Sequence, residues 1–279
     1  MIHHPVFSTF NAVANVGTGH HVFDFIGSRT DTRYRKGWDV HALAAGRAMT
    51  SPLPPPNEHY FDWVATLESV NAARGSFRMA ELGAGWAPWL VRAALACRQR
   101  PAIETVELVA VEADETHHGW VLSHLADNGL LVSDRIHAVR GAMAAQAGTI
   151  RFPRIANPDE NYGASTRAVT ANSECVEVPA YPLADILQRF SGPVDFLHVD
   201  IQGAEYDVLP PALDLLKRQV RAMMVGTHLA DDRHDQLAAQ LAAAGWVQQL
   251  NFPRNRTSRT SVGDIAFGDG FLYFRNPAL

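Results

Sequence analysis

The chain has 279 residues, 47% of them hydrophobic and 19% charged, the balance of a folded globular protein. Its formal net charge of −5 removes the electrostatic case for binding nucleic acid or an anionic membrane. Positive charge is almost all arginine, Lys36 and Lys217 being the only lysines. Cys97 and Cys175 match no metal or CxxC spacing and read as thiols of a reducing cytoplasm. No apolar run nears the ~18 residues that cross a bilayer, and the first residues lack the basic-then-apolar order of a signal peptide.

In chain order, residues 1–56 read as an irregular extension, a candidate lid, ahead of a domain over 57–279. The extension ends in a stiff proline cluster, Pro52, Pro54, Pro55 and Pro56. Asn57 is the expected cap of a helix with Tyr60, Phe61, Val64 and Leu67 on one face. A strand over 77–82 follows, then a helix over 86–98. A densely apolar strand at 106–113 precedes a helix over 115–128, and a third strand spans 135–143. Residues 145–180 are less regular, with short strands near 149–153 and 175–181. Next come a short helix at 182–190, a strand at 194–202 and a helical stretch at 204–218 kinked at Pro210–Pro211. A strand at 220–228, a helix at 231–245 and two last strands, 246–252 and 270–276, complete the reading. Strands alternating with helices predict an α/β fold with a parallel sheet covered on both faces. The last two strands have no helix between them, so the final one is expected to run antiparallel.

Four features carry chemistry. The stretch "MAELGAGWA" places Glu81, Gly83 and Gly85 in the first strand-to-helix turn, where backbone can approach a ligand. It lacks the third glycine of the dinucleotide fingerprint. Glu112 ends the next strand, where an acid can accept from both hydroxyls of a ribose; Asp114 is its nearest competitor. In "VDFLHVDIQGAEYDVL", Asp200 closes a central strand, with Gln202, Gly203 and Glu205 in the turn. One strand over, His228 is expected on the same edge. There it can act as a base oriented by Asp200, or the two can hold a divalent metal such as Mg²⁺. His117, His118 and His124 read instead as a partly exposed helix face.

These segments resemble the FkbM family of S-adenosyl-L-methionine-dependent methyltransferases. The resemblance rests on "AELGAGW", "VAVEAD", "LADNG", "NYGAST", "VPAYPLADIL" and above all "FLHVDIQGAEYDVL", over roughly residues 77–250. His198 stands where the family carries lysine, and Gln202 where it carries glutamate. The resemblance implies the Rossmann-like class I methyltransferase sheet of seven strands, mostly parallel with the last strand antiparallel. It implies that Glu81, Gly83 and Gly85 line the methionine part of the cofactor and Glu112 holds its ribose. Gly141, Ala142 and Met143 would border the adenine, and Tyr162–Ser165, with Asp200, would lie near the reacting centre. It also implies O-methylation of a hydroxyl, often on a sugar, polysaccharide or glycosylated natural product.

A saccharide acceptor suits Trp38, Trp63, Trp86 and Trp89, whose rings can stack on sugar faces. Two loops, 25–38 and 252–270, are the expected pocket walls. A symmetric homodimer is common for soluble enzymes of this size. Two other readings stay open: an NAD(P)-dependent oxidoreductase, and a noncatalytic module that binds S-adenosylmethionine and recognises a partner.

Overall fold

Densely apolar strand segments, separated by helices, condense into one central sheet in a computed structural model that describes residues 3–170 and 172–279. The elements in chain order begin with α1 (Tyr60–Ala72), β1 (Gly75–Leu82), α2 (Pro88–Cys97), β2 (Ile103–Glu112), α3 (Glu115–Asp127) and β3 (Ile136–Arg140). There follow α4 (Leu183–Leu187), β4 (Phe196–Val199), α5 (Glu205–Val208), α6 (Leu213–Gln219), β5 (Ala222–Thr227), α7 (Asp231–Ala243), β6 (Val247–Phe252) and β7 (Gly270–Arg275). The seven strands lie in the order β6-β7-β5-β4-β1-β2-β3, and only β7 opposes its neighbours. This is the expected class I methyltransferase sheet.

Alternation along each strand feeds two cores. In β1, Phe77 and Met79 pack under α1 and α2, whereas Ala80 and Leu82 face the opposite layer. In β4, Phe196 joins the first core and Leu197 and Val199 the second. Leu237 and Leu241 of α7 cover that second face. Burying each such large side chain contributes about 1.5–3 kcal/mol. Parallel strands, with both faces covered, must be apolar on both sides, which explains the dense runs.

The N-terminal segment departs from the expectation of irregularity. Ala14–Val16 pairs with Ala48–Thr50, and His21–Phe23 with Arg29–Asp31, as short antiparallel ribbons. Phe7, Phe10, Phe25 and Ile26 sit in the first core, and the Phe25 ring lies 5.1 Å from that of Trp63. Met1 and Ile2 lie outside the described residues.

Other boundaries also move. Asn57 does not cap α1; its Oδ1 accepts from the His59 N–H at 3.0 Å, one step before the helix. The strand expected over 135–143 breaks at Gly141. Ala142–Met143 leaves the main sheet to pair with Cys175–Tyr181, which also pairs with Gly148–Pro153. Residues 204–218 form α5, a turn at Pro210–Ala212 and α6, because proline cannot supply the helical N–H. The long connection before β7 is itself a hairpin, Arg256–Thr260 with Gly263–Phe267. No helix among the described residues is long and apolar enough to cross a membrane.

Candidate active site

The C-terminal ends of β1, β2 and β4 meet at one sheet edge, where a cavity of about 530 Å³ opens. That is the size of a pocket for a small organic ligand. Its wall includes Glu81, Gly83, Gly85, Glu112, Gly141, Ala142, Met143 and Asp200, so most of the expected site residues converge there.

The turn after β1 is tied down on both sides. Gly83 has φ +75°, and a Cβ built on it would stand 1.8 Å from the Asp200 carbonyl oxygen. Only glycine fits so close an approach between the β1 and β4 ends. The Gly85 N–H donates to Glu112 Oε2 at 2.7 Å, linking the glycine turn to the tip of β2. Glu112 Oε1 accepts from the Asp114 N–H at 2.8 Å. Burial pushes the Glu112 carboxyl up to about 7, against those N–H groups. Asp114 is committed elsewhere: its Oδ1 accepts from the N–H groups of Thr116 and His117, capping α3.

Glu81 lies on the cavity wall but caps α2. Its carboxylate accepts from the Leu90 N–H at 2.7 Å and the Trp89 N–H at 3.3 Å. Burial pushes its carboxyl up to about 7.

The pair expected at the tips of β4 and β5 forms. His228 Nε2 lies 3.0 Å from Asp200 Oδ1 and 3.8 Å from Asp269 Oδ2. Its Nδ1 lies 3.3 Å from Oε1 of the fully buried Glu205. Burial disfavours the charged imidazole, but Asp200 and Glu205 outweigh it and raise His228 to about 10. Burial also opposes ionisation of Asp200, yet His228 holds its carboxyl below the usual range. These neighbours favour the imidazolium form of His228, and its ring is not on the cavity wall that Asp200 lines. No group of three or more His, Cys, Asp or Glu placed to hold a metal ion occurs among the described residues. Asp200 still faces the cavity, with Oδ1 accepting from Gln202 Nε2 at 2.7 Å.

Ser165 is not on the cavity wall; its Oγ donates to the Gln202 carbonyl at 2.5 Å and fixes that loop on the β4 turn. Tyr162 does line the cavity, with its hydroxyl donating to the Tyr34 carbonyl and its ring 4.8 Å from that of Trp86.

The N-terminal segment builds the other half of the cavity, through Phe23, Phe25, Arg35, Trp38 and the prolines at 52, 54 and 55. Trp38, Trp63, Trp86 and Trp89 all reach the wall. The Arg92 guanidinium lies 4.5 Å from the ring centres of Trp63 and Trp89 and pairs with Asp24 at 2.9 Å. The 252–270 loop, the second expected wall, contributes nothing to the lining; Ile265 and Phe267 are buried in the first core instead.

The α3 histidines differ from expectation too. His117 and His124 are buried. His117 stacks on Tyr162 at 4.5 Å, and His124 Nδ1 bonds the Trp86 carbonyl at 2.8 Å. The covering segments are the N-terminal ribbon and the loop near Pro158, neither of which a helix pattern announces.

Sequence reasoning also passed over a cluster under the glycine turn. His198 Nε2 lies 3.1 Å from Asp62 Oδ1, both side chains buried, and the His198 ring stacks on Trp89 at 5.8 Å. Burial works against its charge, but Asp62 leads the carboxylates that raise it above the usual histidine value. Asp62 also lies 3.8 Å from His59 Nδ1. Two signals were available: the acid within the apolar stretch "YFDWV", and His198 within the apolar strand "FLHV", where the family carries lysine.

Residues 86–247 match the family described as Methyltransferase FkbM domain. A curated relative from Jannaschia sp. (strain CCS1), named "Putative methyltransferase", is 31% identical over 240 residues, covering 81% of this chain and 83% of that protein. Among solved structures, Methyltransferase FkbM from Methylobacillus flagellatus KT aligns with a TM-score of 0.44 at 16% identity, over 73% of this chain and 45% of that one. The O-methyltransferase from Bacillus cereus in complex with SAH aligns with a TM-score of 0.42 at 14% identity, over 81% of this chain and 82% of that one. The family match spans more than half of the sequence and the curated relative most of it; the chain belongs to the FkbM methyltransferase family.

Proposed function

We propose that this methyltransferase moves the methyl group of S-adenosyl-L-methionine to a hydroxyl of a saccharide-class acceptor: a sugar, a polysaccharide or a glycosylated natural product. The observation that carries the reading is the make-up of the cavity wall: the glycine turn, Glu112 and Gly141–Met143 share it with four tryptophans and the N-terminal segment. We assign the first set to one half of the cavity and the second to the other.

The first half fits the cofactor. Gly83 leaves room that any Cβ would fill, and Glu112 brings a buried carboxylate able to accept from two ribose hydroxyls. Gly141–Met143 would border the adenine, and Glu81 would hold the α2 N-terminus in place beside the methionine part. When bound, the cofactor supplies an electrophilic methyl on a sulfonium, so little more than positioning and proton removal is left to the protein.

The second half suits a polar ring with apolar faces. Indole rings stack on such faces, while Asp200, Ser51 and Asn57 on the same wall offer hydrogen-bonding tips. Residues 1–56 serve as the wall and lid of this half, and residues 57–279 as the catalytic domain. His228 holds Asp200 in one orientation rather than touching the acceptor.

The test is methyl transfer from tritiated S-adenosyl-L-methionine to a panel of methyl glycosides, with peptides as controls. Alkali-stable label on a glycoside is the expected result. Label confined to peptides, or alkali-labile label, overturns the saccharide O-methyl reading.

A further inference from the structure

We propose that Asp62 and His198 form a dyad whose free ring nitrogen, His198 Nδ1, takes the proton from the acceptor hydroxyl. The proposal rests on the methyl-transfer reading above and adds a catalytic group that this reading leaves unassigned.

His198 projects from β4 on the face that also carries Phe196, and it lines the same cavity as Glu81 and Asp200. Groups from the packed elements face it: Asp62 from α1, Glu81 from β1, Trp89 from α2, and Asp200 at the end of its own strand; His59, just before α1, lies against Asp62, and Arg92 of α2 lies over Trp89. Asp62 can only accept, so the His198 nitrogen that meets it, Nε2 at 3.1 Å, bears a proton. In the neutral ring the lone pair then falls on Nδ1. That atom is buried and has no hydrogen-bond partner among the described residues. An unpartnered buried ring nitrogen carries a desolvation cost that a ligand hydroxyl would offset. An acid that fixes the tautomer of a histidine whose other nitrogen faces the substrate is the arrangement by which serine hydrolases prepare their base.

The other basic candidates on this edge are less well placed. His228 is off the cavity wall, its Nδ1 meets Glu205 at 3.3 Å, and its Nε2, though without a hydrogen bond among the described residues, lies 3.0 Å from Asp200. Asp200 is a weakened base, since the neighbouring imidazolium favours its ionised form. Glu81 is engaged by the α2 N–H groups. In the proposed step the acceptor O–H bond breaks and the proton passes to Nδ1. The oxygen keeps the electron pair and forms the bond to the methyl carbon, whose bonding pair to sulfur stays on sulfur. The dyad returns its proton to solvent as product leaves.

The test uses the full chain, wild type and the variants His198→Gln and Asp62→Asn. Calorimetry with S-adenosylhomocysteine reports folding and cofactor binding. ¹⁵N NMR of the histidine rings in that complex, at a pH where His198 is neutral, reports the tautomer. Tritium transfer to methyl glycosides reports kcat and KM. The proposal expects S-adenosylhomocysteine affinity within ~2-fold in all three proteins, a wild-type ring protonated at Nε2, and kcat lower by ~10²–10⁴-fold in His198→Gln with little change in KM. Asp62→Asn should lose the fixed tautomer and fall in kcat as well. A wild-type ring protonated at Nδ1 overturns the proposal, as does full kcat in His198→Gln. Weakened S-adenosylhomocysteine binding in His198→Gln also overturns it, by assigning Nδ1 to the cofactor. Failure of the wild type to bind S-adenosylhomocysteine would instead defeat the methyl-transfer reading. Binding without label on any glycoside defeats the saccharide reading alone, and the tautomer still decides the dyad.

Discussion

His228 and Asp200, at the tips of adjacent strands, form an ion pair with Nε2 and Oδ1 3.0 Å apart, and Glu205 closes the imidazolium from the other side. The charge on His228 ties the β4 turn to the β5 tip. Glu205 adds a bond to the backbone, accepting from the His228 N–H at 3.0 Å.

Replacing His228 by Gln should therefore cost stability before it costs chemistry. It leaves Glu205, fully buried, without its counter-charge, a loss of about 3–5 kcal/mol. The pH dependence follows from the raised value. A histidine lifted from 6.5 to about 10 contributes stability that is fully present below pH 6.5 and lost as pH rises towards 10. Urea unfolding at pH 6 and pH 9.5 should show the wild type losing a few kcal/mol more than His228→Gln over that window. Equal losses in both proteins would contradict the assignment.

Glu112 gives a second pH test. Ribose hydroxyls donate to the ionised carboxylate, so protonation competes with the ligand. With a carboxyl near 7, S-adenosylhomocysteine affinity should rise from pH 6 to pH 8 and then level off. Glu112→Gln should bind roughly 10–100-fold more weakly and lose the slope, as expected for charge-assisted hydrogen bonds. Calorimetry across that pH range reads both effects.

Gly83→Ala tests the close approach of β1 and β4. A methyl group there meets the Asp200 carbonyl at 1.8 Å with φ at +75°. The two ends must separate, so the variant should lose more than ~2 kcal/mol in urea unfolding and most of its cofactor affinity. A wild-type melting curve for this variant would mean that the turn is looser than described.

Arg92→Met tests how the N-terminal segment is held. Asp24 would lose its ion pair, and Trp63 and Trp89 their cation. The pair is largely but not wholly buried, so the cost should be roughly 1–3 kcal/mol. Limited proteolysis should cut within residues 1–56 faster than in the wild type, and KM for the acceptor should rise more than kcat falls.

The strand-and-helix pattern was legible because each parallel strand must be apolar on both faces, as "FLHV" and "AMMVGT" are. The convergence of Glu81, Gly83, Gly85 and Glu112 on one cavity was legible too, since they lie at or just beyond strand ends, where a local pattern predicts position. The rest of the cavity wall was not. Asp62 and His198 are 136 residues apart, and only the packing of α1 on β4 brings them together. The proximity of His228 to Asp200 was foreseeable from adjacent strand tips, but the second carboxylate, Glu205, arrives through the turn into α5. The burial of His117 and His124 depends on segments the sequence reading left irregular, the N-terminal extension and the loop near Pro158.

The most direct measurement is calorimetric titration of the purified chain with S-adenosylhomocysteine, with NADH as the control. The account predicts a saturable one-to-one heat with S-adenosylhomocysteine, weakened in Glu112→Gln, and none with NADH. Saturable binding of NADH, or no heat with S-adenosylhomocysteine, would contradict it.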